Sequence, residues 1–115
     1  MRDDFCKLYV DSDLPKTELI EAVRVDAVGV REGRATVSTS TCVLDIEENE
    51  DFDGERKAKS ADGFLYFRYY FDVEPGSGVS KERYIQSLSS LLVSMRHRGI
   101  RVVPACDFED LLPKP

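Results

Sequence analysis

Ten consecutive residues, Phe64 to Val73, alternate between two sets of side chains, and no other stretch restricts the fold so strongly. Leu65, Phe67, Tyr69, Phe71 and Val73 fall on one side; Phe64, Tyr66, Arg68, Tyr70 and Asp72 fall on the other. A period of two belongs to a β-strand, because successive Cβ atoms point to opposite faces of a sheet. One side is wholly apolar and must be covered by another layer. Phe5 to Val10 repeats the pattern on a smaller scale, with Cys6, Leu8 and Val10 opposed to Phe5, Lys7 and Tyr9.

Two segments carry the helical period instead. Between Lys16 and about Asp26, Leu19, Ile20, Val23 and Ala27 recur at helical spacing, behind the turn and capping residues Asp11-Ser12-Asp13 and a first-turn Pro15. Ser80 is placed to cap a helix over 81–97, in which Tyr84, Ile85, Leu88, Leu91, Leu92 and Met95 form an apolar stripe. Gly29 and Gly33 end the first helix, and Gly99 ends the second.

The remaining segments read as strands and a loop. Ala35 to Ile46, rich in threonine and valine, reads as one long strand with a bulge near Ser38 to Ser40. Asp45 to Asp62 reads as a polar loop, and Glu74 to Gly78 as a break. Ile100 to Cys106 is a last strand, at a sheet edge because Pro104 cannot donate to a ladder. The order β-α-β-β-α-β predicts a ferredoxin-like α+β sandwich, a four-stranded antiparallel sheet with two helices on one face. At 115 residues, 1–115 reads as a single domain.

Charge separates along the chain. Net charge is −6, but residues 1–53 carry net −8 and residues 54–115 net +2. An acidic excess repels phosphate backbones and anionic membranes and favours a basic protein partner. Six carboxylates, Asp45, Glu47, Glu48, Glu50, Asp51 and Asp53, fall within nine residues. Asn49-x-Asp51-x-Asp53-Gly54 imitates the start of a calcium loop, but its twelfth position is Ser60, where a bidentate glutamate is needed. The run reads as an acidic surface that steers a basic partner.

Signals of catalysis, cofactor binding and membrane insertion are missing from the sequence. There is no Gly-x-Ser-x-Gly elbow and no phosphate loop, and the single histidine, His97, sits between two arginines at a helix end. Cys6, Cys42 and Cys106 show no Cys-x-x-Cys pairing, which argues against zinc and dithiol chemistry. Cys6 and Cys42 read as small core hydrophobes. Cys106, followed by Asp107, Glu109 and Asp110, should have a raised pKa. Met1-Arg2-Asp3-Asp4 leads into no apolar signal segment, and no apolar run approaches a membrane span, so a cytoplasmic setting is expected. The expectation is a chain with no cofactor, no metal and no enzymatic activity.

Two resemblances sharpen these expectations. Leu8-Tyr9-Val10 and Gly63-Phe64-Leu65-Tyr66-Phe67-Arg68-Tyr69 resemble the two short motifs of the RNA recognition motif family. That resemblance implies base stacking by Tyr9, Phe64 and Tyr66. Asp62 and Leu65 stand where the family has a basic and a small residue. Residues 62–113, from Asp62-Gly63-Phe64-Leu65-Tyr66-Phe67 to Gly99-Ile100-Arg101-Val102-Val103-Pro104, resemble small bacterial immunity-type proteins of polymorphic-toxin and contact-dependent inhibition systems. This second resemblance implies a cytosolic, non-catalytic inhibitor that binds and blocks a basic toxin domain. Its binding residues would be Glu47, Glu48, Glu50, Asp51 and Asp53 together with an outward face of Tyr9, Phe64, Tyr66, Arg68 and Tyr70. The alternative is a ferredoxin-like domain that binds a small ligand or single-stranded nucleic acid.

Overall fold

The computed structural model describes residues 4–59 and 62–114, so Met1 to Asp3, Ser60, Ala61 and Pro115 lie outside the described residues. Strand β1 (Cys6–Asp11) leads into helix α1 (Lys16–Ala27), then β2 (Val30–Glu32), β3 (Thr36–Ser38) and β4 (Cys42–Glu48). A short helix α2 (Gly54–Lys59), a 3-10 turn (Gly63–Tyr66), β5 (Tyr69–Pro75), helix α3 (Lys81–His97) and β6 (Arg101–Ala105) follow. A second 3-10 turn (Glu109–Leu111) is the last element. The protein is α+β, and its strands form one six-stranded antiparallel sheet in the order β2-β3-β4-β5-β1-β6.

The alternating strands meet the amphipathic helices as their periods require. Leu8 and Val10 of β1, Leu44 and Ile46 of β4, and Phe71 and Val73 of β5 bury one sheet face. Leu19, Ile20 and Val23 of α1 pack into the same cluster, with Tyr84, Leu88, Leu92 and Met95 of α3. Helix α3 has the predicted bounds. Ser80 Oγ accepts the Arg83 N–H at 3.2 Å, and Gly99 follows at φ 85°. Pro104 lies opposite Leu8 in β6, an edge strand as predicted.

The sheet has six strands, not four. The expected long strand over 35–46 is two, because Thr39 to Thr41 reverse the chain instead of bulging. Thr39 Oγ1 accepts the N–H of Thr41 at 3.1 Å and of Cys42 at 3.0 Å. An additional exposed strand, β2, pairs with β3 across Gly33, whose φ of 75° makes the turn. Pro15, not Ser12 or Asp13, occupies the position before α1, and Ser12 Oγ accepts the Leu14 N–H instead.

The largest correction concerns 45–68. Residues 45–48 complete β4, and residues 54–59 are helix, so the segment is not a loop. Gly63 to Tyr66 form a 3-10 turn, and the strand expected from Phe64 begins at Tyr69. Asn49 causes much of this. Its Nδ2 donates to the carbonyls of Leu65 (3.1 Å) and Phe67 (2.7 Å), and its Oδ1 accepts the Asp51 N–H. Phe67 is buried apart from the main core, with the Arg101 guanidinium 4.7 Å from its ring centroid.

Candidate functional site

The face of the sheet turned away from α1 and α3 is where this chain concentrates unneutralised charge. Antiparallel register sets its rows. One runs Thr36, Asp45, Asp72, Lys7, Ala105; the next runs Glu47, Tyr70, Tyr9, Val103. Glu74 stands opposite Val43 in the row beyond. Asp45 and Asp72 are therefore direct cross-strand neighbours of like charge, an arrangement that lowers sheet stability. Thr36 Oγ1 donates to Asp45 at 2.6 Å, and no ion pair among the described residues neutralises Asp45, Glu47, Asp72 or Glu74.

Lys7 is the cation in the middle. Its ammonium lies 4.2 Å from the Tyr70 ring centroid and 5.5 Å from that of Tyr9. Burial raises the Tyr70 pKa, with Asp72 adding to the rise, so the phenol stays neutral and available as a donor. An open groove of about 480 Å³ runs beside Lys7, between Phe5, Asp45, Asp72, Glu74 and Ala105. Aromatic rings, a lysine stem and carboxylates side by side can meet an extended basic segment through both apolar contact and charge.

The predicted binding residues are only partly together. Tyr9, Tyr70 and Glu47 share this face, and Phe64 meets Tyr9 edge-on at 5.4 Å. Tyr66 lies instead beneath the Arg56 guanidinium, 5.5 Å away. Arg68 turns to the β1–α1 connection, where Nη1 donates to the Ser12 carbonyl. Glu48, Glu50 and Asp51 are exposed at the end of β4 and in the turn after it. Asp53 caps α2, accepting the N–H of Glu55 at 3.0 Å and of Arg56 at 3.1 Å. In the imitation calcium loop, the Asn49 and Asp53 side-chain oxygens thus accept backbone N–H groups. No cluster of three or more His, Cys, Asp or Glu among the described residues is arranged to hold a metal.

Lys7 and Asp72 lie on the outward face where the alternation puts them, although neither is among the predicted binding residues; Glu74, expected in the break after the strand, joins them as part of β5. The outward phase of the Phe64–Val73 alternation ends on Asp72, and Glu74 continues it. At the far end of the same face, Asp11 gathers Lys57 Nζ at 2.6 Å and Arg101 Nη1 at 4.0 Å, and accepts the Arg68 N–H at 3.4 Å. These contacts fasten α2 and the residues after the 3-10 turn to the sheet.

The cysteines also depart from expectation. Cys6 and Cys42 are buried as predicted, but Cys106 is not an isolated thiol beside carboxylates. The Cys6 S–H points at its sulfur across 2.6 Å, and this contact lowers the Cys106 pKa despite the opposing effect of Glu109 and Asp107. His97 is exposed at the end of α3. Arg96, partly buried, donates to the carbonyls of Val102 and Pro113 at 2.8 Å each. No helix among the described residues is long and apolar enough to cross a membrane. Compared with protein-family models, curated proteins and solved structures, the chain matches none.

Proposed function

We propose that this chain is a non-catalytic protein-binding module, an immunity-type inhibitor that takes a basic toxin domain on its open sheet face. The observation that carries the reading is the Asp45–Asp72 row, with Glu47 and Glu74 beside it. Like charges on facing strands cost stability, and a cationic partner turns that cost into attraction. Tyr9, Tyr70 and the Lys7 stem supply the apolar contact that holds a partner once steering has delivered it. Glu48, Glu50 and Asp51 extend the acidic field beyond the face. In the same reading, β4-β5-β1-β6 with α1 and α3 keep a ferredoxin-like order, and the β2–β3 hairpin is an addition at its edge. The cytoplasm is the compartment such an inhibitor works in.

The nucleic-acid alternative loses support from the same face. Phe64 lies in a turn and engages the Tyr9 ring, and the surrounding carboxylates repel phosphate. Co-expression with the product of the neighbouring gene supplies a partner for the test. Stopped-flow association at two salt concentrations should show Glu47→Gln/Asp72→Asn binding roughly tenfold more slowly, with a flatter salt dependence. Glu50→Lys/Asp51→Lys should slow it in the same sense. An unchanged association rate in both variants refutes the reading. Binding of a single-stranded oligonucleotide that Tyr9→Ala abolishes replaces it with the alternative.

A further inference from the structure

We propose that Cys6 and Cys106 form an oxidisable dithiol, which a hydroperoxide converts to a disulfide joining β1 to the end of β6. The register leads to this directly. Lys7 faces Ala105 on these neighbouring antiparallel strands, which brings Cys6 alongside Cys106, in the bend that directly follows β6. Directly opposed antiparallel residues have Cα atoms about 4.5 or 5.5 Å apart, and both spacings fall in the range a disulfide spans. The two sulfurs are 2.6 Å apart, closer than non-bonded sulfurs rest.

The thiols divide the work. Cys6 is buried, whereas Cys106 is partly exposed and reachable from solvent. Hydrogen bonding from the Cys6 S–H stabilises the Cys106 thiolate and lowers its pKa, and the same bond raises that of Cys6. Cys106 is thus the attacking sulfur and Cys6 the resolving one. The Cys106 thiolate attacks one peroxide oxygen; the O–O bond breaks, hydroxide leaves and takes a proton to become water, and a sulfenic acid remains. The Cys6 sulfur then attacks the Cys106 sulfur, the S–O bond breaks, and a second water carries off the Cys6 proton. Two thiols lose two electrons, and hydrogen peroxide gains them.

Oxidation would fix the segment after β6 to the sheet. Phe108 and Leu112, both buried, follow Cys106, and Phe108 meets Tyr84 edge-on at 5.7 Å. The closed loop covers almost the whole chain, which is where cross-linking removes the most unfolded-state freedom.

Intact mass and thiol counting test the proposal. Reduced protein, treated with hydrogen peroxide and then denatured and alkylated, should take one alkyl group, at Cys42, instead of three. It should be two hydrogens lighter, and dithiothreitol should restore all three thiols. Its Tm should rise by on the order of 10 °C. Cys42→Ser should form the same link, and Cys106→Ser should leave Cys6 alkylatable. Oxygen adducts on Cys106 with Cys6 still alkylatable, or a disulfide between two chains, would overturn it. The wild-type thiol count decides even where a cysteine variant does not fold.

Discussion

Val28 closes α1 in the left-handed region, at φ 53° and ψ 54°, although it is β-branched and 88% exposed. For an L-residue that conformation costs roughly 1–2 kcal/mol, and the exposed side chain recovers little of it. The glycine a helix end normally uses is one residue late. Gly29 is held there by packing, since a Cβ would stand 2.6 Å from Val37 Cγ1 and 3.0 Å from the Ser38 carbonyl. Val28→Gly should therefore stabilise the protein by about 1 kcal/mol, measured as a rise in the urea midpoint at unchanged slope. Gly29→Ala should destabilise it. From the sequence, a glycine after an apolar helix is simply a terminator; that it answers to β3 instead is a fact of packing across the sheet.

At the scale of elements, the fold was legible where signals are local. Helix α3 has a serine cap, an unbroken apolar stripe and a terminating glycine within twenty residues, and it lies where they place it. The helix faces and the alternating strands β1 and β5 follow for the same reason. The 3-10 turn at Gly63 was illegible because Phe64-Leu65-Tyr66 keeps the period of a strand. What overrides it is distant: the Asn49 side chain takes the carbonyls of Leu65 and Phe67, and Gly63 lies so close to the Lys57 carbonyl that any Cβ would collide with it. Asn49→Ala should cost about 1–3 kcal/mol. Its signature should be local, with faster hydrogen exchange at Leu65 and Phe67, whose N–H groups donate within the turn, and little change in α3. Leu88→Ala, in the shared core, should cost about 2–5 kcal/mol and loosen the whole domain. The candidate face was half legible: its residues alternate visibly, but which carboxylate faces which depends on register between strands far apart in sequence.

For the whole molecule, protons held on buried phenols and thiols set the alkaline limit. Burial raises the pKa of Tyr84, whose hydroxyl donates to the Val73 carbonyl at 3.4 Å, and also that of Cys42. The folded chain keeps these protons to higher pH than the unfolded chain, whose cysteines release them near about pH 8.5 and tyrosines near about pH 10. Stability is thus complete below about pH 8.5 and falls above it, more steeply beyond about pH 10. Tyr84→Phe should flatten the steeper part of a plot of unfolding free energy against pH; an unchanged slope would mean another group governs it. On the open face, Asp72→Asn removes both the repulsion from Asp45 and the attraction to Lys7 on its other side, so it should leave stability nearly unchanged while slowing partner association.

The place of β1 in the sheet has a consequence for synthesis. It lies between β5 and β6, so neither neighbour exists until the chain has grown past Tyr69 and then Arg101. At about 5–20 residues per second, β1 waits several seconds with both of its hydrogen-bonding edges open. Most of its partners are distant in sequence, which makes folding slow for a domain of this size and postpones it until β6 has been made. A chain interrupted before Arg101 would expose Cys6 to Val10 as an unprotected edge with its alternation intact, ready to pair with another copy. Ribosome-bound chains arrested on either side of β6 should differ sharply in protease resistance, with protection arriving only with the last strand.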